Sequence, residues 1–306
     1  MQTNIDLDMF PMKEVSKNNH KSCNKPSKII VFDLDETLGS FSQLYALSDS
    51  IHQIYNETLP SNHLFKLIDT FPGFLRPNIL RILKKLVNAR EKGKCLAIVL
   101  YTNNQGPKKW AQDIVDYFAY KLKKPVFDYV IHAYKANGQR VEPLRTTHDK
   151  NYEDLLNCLG MPNETQVCFI DDQFHTLSVH PNVSYIPVDP YVYTPKPIQI
   201  AEKYYTNMHP PMHKSIFIGE LATKLGKRFK SNSQYHSDVN FNTSDSHQHL
   251  IHGLGRFLEY PGGILRCCKG KNRTKRYRIF KKKSNKTKKH RRKNKISRRQ
   301  ALLRRS

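Results

Sequence analysis

Five short runs of β-branched and apolar residues punctuate the first two thirds of the chain, at 28–33 (KIIVFD), 95–102 (CLAIVLYT), 126–131 (VFDYVI), 166–171 (QVCFID) and 184–188 (SYIPV). Runs of this length and composition fit strands buried on both faces. Between them the apolar residues change period. Ile79, Ile82, Leu83 and Leu86 follow Pro77 at i, i+3, i+4 and i+7, which predicts a helix with Pro77 at its first position. Trp110, Ile114, Val115 and Phe118 predict a second helix, and Leu155, Leu156 and Leu159, closed by Gly160, a third. Strands alternating with helices call for parallel pairing through right-handed crossovers, hence an α/β, three-layer Rossmann-like sandwich around a central parallel sheet. One stretch breaks the alternation. Residues 38–74 form a long insertion after the first strand, of a size to make a flap or small cap beside a site.

Polarity sets the expected boundaries: a flexible leader over 1–27, a folded domain over 28–225, a polar linker over 226–265 and a disordered basic tail over 266–306. The four histidines within 231–252 have no metal-ligand spacing and read as linker composition. Charge sharpens the last boundary. Of 51 Lys and Arg, 21 lie in 266–306, where there is no acid, leaving 30 bases against 26 acids before it. A near-neutral body thus carries an intensely basic tail, which self-repulsion and a lack of large apolar groups keep from folding alone. No apolar run is long enough to cross a bilayer, the first residues lack a signal-peptide pattern, and six cysteines show no CxxC pairing. These features predict an intracellular protein, nuclear or cytoplasmic, with membrane association disfavoured.

Ligands of parallel sheets bind beyond the carboxyl ends of the strands. Here those ends read DLDETLGS, YTNNQ and DDQFH, so three of them deliver acids or small hydrogen-bonding groups to one edge. In extended chain Asp33 and Asp35 point the same way while Leu34 points opposite. Two such carboxylates repel unless a proton or cation lies between them, which makes a Mg2+ site the expectation. The plain alternative is a pair of acids capping the next helix; the second pair, Asp171 and Asp172, argues against it.

The pattern DxDxT in DLDETLG resembles the first motif of the haloacid dehalogenase superfamily, and Thr37 points to its branch of CTD phosphatases and nuclear LIM interactor-interacting-factor-like relatives. FLRPNILRILKKL is similar to the branch's Arg-Pro helix, IVLYTNNQ to its second motif, and IDDQFHTLSVHPNVSYIPV to its fourth. The likeness spans about half the chain; with the basic tail added, it is similar to CTD-phosphatase-like proteins of large DNA viruses, leaving a cellular or viral source open. It implies a Mg2+-dependent phosphoserine/threonine phosphatase working through a phosphoaspartate. Asp33 would be the nucleophile, Asp35 the general acid and base, Thr37, Thr102 and Asn103 the phosphoryl contacts, and Asp33, Asp35 (through its backbone carbonyl), Asp171 and Asp172 the metal shell. The superfamily's lysine would be Lys150 or Lys135. Gly39 and the 38–74 insertion depart from the family pattern, as does Asp172, where many small members have Asn.

The resemblance suggests a phosphoprotein substrate such as the phosphorylated C-terminal repeats of RNA polymerase II. The tail suits nucleic acid by counterion release, a nuclear localisation signal, or an anionic membrane with Cys267 and Cys268 as palmitate acceptors. Two other readings stay open: a phosphatase of nucleotides or nucleic-acid ends, and a basic nucleic-acid-binding or virion protein on a vestigial phosphatase fold.

Overall fold

The computed structural model describes residues 27–55, 59–60, 62–232 and 243–259. The leader (1–26 of the expected 1–27) and the basic tail at 266–306 lie outside the described residues. In chain order the elements are β1 (Lys28–Phe32), α1 (Phe41–Tyr55), α2 (His63–Thr70), a 3-10 turn (Pro72–Phe74), α3 (Ile79–Glu91), β2 (Ala97–Tyr101), α4 (Lys108–Leu122), β3 (Tyr129–Ile131), the two-residue strands β4 (Lys135–Ala136) and β5 (Gln139–Arg140), α5 (Tyr152–Leu159), β6 (Gln166–Asp171), a second 3-10 turn (Thr176–Val179), β7 (Val183–Pro187), α6 (Pro197–Met208), α7 (Lys214–Asn232) and α8 (Thr243–Glu259).

The main sheet has the order β3-β2-β1-β6-β7 and every pairing in it is parallel, as the alternating pattern predicts. Strand β1 is central. Its residues alternate between two cores: Ile30 and Phe32 join a large cluster with α1 to α4 and α6 to α8, whereas Ile29 and Val31 join a smaller one under α5. Burial on both faces explains why the strands read as unbroken apolar runs. Topology also fixes the ligand edge. The chain runs outward from β1 to β2 and β3, then crosses to β6 on the other side, so the order reverses between β1 and β6 and opens a crevice at their carboxyl ends.

Three expectations need correction. Pro77 does not open α3: Asn78 is the cap, in the left-handed region at φ 64°, and Ile79 is the first helical residue. The insertion is no separate flap, because Phe41, Leu44, Leu47, Ile51, Leu64, Leu67 and Ile68 are buried in the larger core. The polar composition of 226–265 masked two helices. Helix α7 continues past 225 to Asn232, and α8 lays Leu250, Leu254 and Phe257, at i, i+4 and i+7, into the same core. Lys28 Nζ donates to Phe257 O at 2.8 Å, tying the end of α8 to the start of β1.

Candidate active site

Where β1 leaves the sheet, Asp33 N still donates to Ile170 O (2.9 Å), so Asp33 sits beside Asp171 at the end of β6. This is the crevice the topology predicts. The i, i+2 reading holds: Leu34 is fully buried in the larger core, while Asp33 and Asp35 both face the crevice's charged groups. The chain then turns through Glu36 at φ 56°, a conformation uncommon for a residue with a side chain. Arg76, just ahead of α3, holds that turn in place. Its Nε donates to Thr37 O (2.5 Å), and its Nη2 to Glu36 O and Asp189 O (2.7 Å each). Tyr191 N adds a further bond to Glu36 O at 2.8 Å. Thr37 faces Asp172: its hydroxyl donates to Asp172 Oδ1 (2.9 Å) and accepts from Asp172 N (3.1 Å).

Of the two candidate lysines, Lys150 reaches the acids. It precedes Asn151, the residue that caps α5, and is only 1% exposed. Its Nζ donates to Asp33 Oδ1 and, at 2.7 Å, to Asp171 Oδ2. Lys135 lies on β4, its ammonium 5.1 Å over the Tyr134 ring.

The second motif splits its two asparagines. Thr102 is buried, its hydroxyl accepting from Asn104 N at 2.9 Å. Asn103 turns its Oδ1 to Arg145 Nη2 (2.8 Å), and it is Asn104 whose Nδ2 reaches Asp35 Oδ2 at 2.7 Å. Arg145 was invisible in the sequence. Fully buried, it donates to the carbonyls of Thr102 (3.1 Å) and His132 (2.8 Å) and to that of His148 (3.2 Å), so it joins the end of β2 to the loop before Lys150. A third unforeseen group stands behind Asp171. His175 Nδ1 meets Asp149 Oδ1 at 2.8 Å and its Nε2 lies 3.7 Å from Asp171 Oδ2.

The electrostatics follow from burial. One ammonium cannot neutralise two carboxylates, so negative charge is left in excess. Burial pushes Asp33 up to about 6 against the pull of Lys150, and Asp171 shifts the same way for the same reason. Burial and the neighbouring Asp33 charge raise Asp35 to about 7 and Asp172 to about 6. Burial and Asp35 raise Glu36 to about 8. Burial alone would lower Lys150, but Asp33 and Asp171 outweigh it and hold the ammonium charged.

Asp33, Asp171 and Asp172 each offer a carboxylate oxygen within 4.8 Å of the others. Three hard oxygen donors, pushed toward protonation by one another and by burial, fit a divalent cation such as Mg2+. The Asp35 carboxylate stands outside this group, bonded to Asn104.

A family model for NLI interacting factor-like phosphatases matches residues 28–204, more than half of the 306. The chain belongs to this family. It is thereby a phosphatase of the haloacid dehalogenase superfamily, with Asp33, Asp35, Thr102, Lys150, Asp171 and Asp172 all inside the matched region. No curated protein matches. Among solved structures, one described as a HAD-superfamily hydrolase, subfamily IA, variant 1, from Geobacter sulfurreducens PCA is similar at 12% identity, over 57% of this chain and 92% of that one, with a TM-score of 0.29. In the described residues no helix is long and apolar enough to cross a membrane.

Proposed function

We propose that this phosphatase is a Mg2+-dependent phosphoserine/threonine phosphoprotein phosphatase that works through a phosphoaspartate on Asp33. One observation carries the reading: Lys150, buried, joins Asp33 to Asp171 while a second carboxyl, Asp35, stands close by in a different hydrogen-bond environment. Two neighbouring carboxyl groups with separate environments suit two roles. Asp33, paired with an ammonium, is the group to carry charge and attack phosphorus. Asp35, raised to about 7 by burial and by Asp33, is the one to hold a proton near neutrality.

In the first displacement an Asp33 oxygen bonds to phosphorus as the bond to the serine oxygen breaks, and Asp35 gives its proton to that leaving alkoxide. In the second, Asp35 takes a proton from the water that attacks the phosphoaspartate, which releases phosphate and restores Asp33. Lys150 and the buried Thr102 offset charge on the transferring phosphoryl group, positioning it more than reacting with it. Asp33, Asp171 and Asp172 would hold Mg2+, which when bound stabilises negative charge on the phosphoryl oxygens. The basic segment 266–306 would act apart from this chemistry, as a nucleic-acid or nuclear-targeting element.

Phosphate release from a phosphoserine peptide, followed with Mg2+ and with excess chelator, tests the reading. Release that needs Mg2+ and disappears in Asp33→Asn is the expected result; equal release by the variant, or none by the wild type, contradicts it.

A further inference from the structure

Asn104 is pinned at three points. Its backbone N–H donates to Thr102 Oγ1 (2.9 Å), its Oδ1 accepts from Gly106 N (2.8 Å), and its Nδ2 donates to Asp35 Oδ2 (2.7 Å). The middle bond fixes the rest. An Asn side chain cannot be told from its flipped form by shape, and its bonding partners decide. Gly106 N–H needs an acceptor, so the carboxamide oxygen lies there and the amino group must face Asp35. Gly106 is itself part of the brace, since a Cβ on it would stand 2.8 Å from Asn104 Oδ1.

The consequence falls on Asp35. With Oδ2 engaged by an amide donor, the other oxygen is left: Oδ1 is buried and has no hydrogen-bond partner among the described residues. A buried carboxyl oxygen without a partner is costly unless something arrives to use it. The bond to Asp35 comes from Asn104, whereas the neighbouring Asn103 turns its Oδ1 to Arg145 Nη2.

We infer that Asn104 is a positioning residue for Asp35: it holds Oδ2 so that Oδ1 is the oxygen that delivers the proton to the leaving alkoxide. The inference rests on the phosphatase reading above and adds to it which oxygen acts and what aims it. Asn104 donates only to the oxygen that does not transfer the proton, so it never blocks the transfer. Removing it frees the carboxyl to rotate, and the cost appears only where the leaving group needs a proton.

That condition supplies the test. An aryl phosphate such as p-nitrophenyl phosphate expels a stable anion and asks little of a general acid; a phosphoserine peptide expels a basic alkoxide and asks much. Since kcat/KM covers steps only up to departure of the leaving group, it is measured with Mg2+ on both substrates for wild type, Asn104→Ala, Gly106→Ala and Asp35→Asn. General acids contribute on the order of 10^2 to 10^4 in rate. The Asn104→Ala variant is expected to raise the aryl-to-serine ratio of kcat/KM about tenfold or more, in the same direction as Asp35→Asn and short of it. Gly106→Ala, by pushing the carboxamide aside, is expected to move it the same way by less. Equal losses on the two substrates in Asn104→Ala, with Asp35→Asn still discriminating, would overturn the role of Asn104 and leave the phosphatase reading standing. No discrimination by Asp35→Asn, or no turnover by the wild type, would overturn both.

Discussion

Residues 33–37 and 38–74 leave the same strand in succession and obey opposite rules. The first five place three carboxyl groups (Asp33, Asp35 and Glu36) and one left-handed backbone position at the edge of the sheet, held by Arg76, Asn104, Lys150 and Asp172 through hydrogen bonds. The next thirty-odd place Phe41, Leu44, Leu47, Ile51, Leu64, Leu67 and Ile68 into the larger core. Burial in the first stretch costs free energy that the fold must offset elsewhere, since charge is removed from water. Burial in the second contributes it. On the proposed mechanism, activity and stability are therefore carried by adjacent but separable pieces of chain.

The largest effects should come from the charged stretch. Asp33→Asn is expected to lower kcat by about 10^3-fold or more, as loss of a nucleophile does. Lys150→Met should come close to it, and it should also destabilise the metal-free protein by about 3–5 kcal/mol by leaving two buried carboxylates with no cation. Urea unfolding should show that loss growing with pH. Without Lys150 the acids in the fold hold their protons to higher pH than in the unfolded chain, so stability falls as pH rises through their raised pKa values. A uniform loss at all pH values would dissolve the contrast.

The packed stretch should behave in the reverse sense. Leu47→Ala, on α1 and fully buried, is expected to cost about 2–5 kcal/mol in unfolding free energy. Its kcat below the melting temperature should stay within about twofold of wild type. If Leu47→Ala lowered kcat a hundredfold while folded, the insertion would belong to the catalytic machinery after all.

Mg2+ should stabilise the charged stretch alone. At a concentration about 100 times its dissociation constant a ligand adds about 2.7 kcal/mol. Asp33 and Asp172, each raised to about 6, must be ionised to bind it, so the gain in melting temperature should be full at pH 8 and small at pH 5. Asp172→Asn should reduce it at both.

The smallest effect belongs to the packed stretch. His63 on α2 is buried, meets Tyr204 Oη at 3.0 Å, and is lowered to about 4 by burial and by Lys66. It is neutral in the fold, whereas the unfolded chain binds its proton below the ordinary value of about 6.5. Its contribution is present above that value and is lost as pH falls from there toward 4. Relative to His63→Gln, the wild type should lose about 2 kcal/mol between pH 7 and pH 5. Matching slopes in the two proteins would show that His63 is not held neutral.

The apolar half of this comparison was legible in the sequence. Strands β1, β2 and β6 announced themselves because both their faces are buried, and α3, α4 and α5 because their stripes are uninterrupted. Helix α8 escaped notice because Leu250, Leu254 and Phe257 stand among His, Ser and Gly, whose polarity outvoted three well-spaced apolar residues. The charged half was legible in part. Asp33, Asp35, Thr102 and the Asp171–Asp172 pair sit at strand ends, where alternation predicts direction. What was missed depends on bonds across the chain: Arg145 answers carbonyls up to 43 residues away, and Arg76 those of Glu36 and Thr37. The bond from Asn104 to Asp35 forms in the turn beyond β2, where the two-residue period of a strand no longer applies.

The central claim is that Asp33 becomes covalently phosphorylated. Wild-type protein turning over a phosphoserine peptide with Mg2+ can be quenched in acid, digested and examined by mass spectrometry. The account predicts one phosphoryl group on the peptide that contains Asp33, gone on hydroxylamine treatment and missing in Asp33→Asn. Phosphate release with Asp33 unmodified, or with the phosphoryl group on another residue, would contradict it.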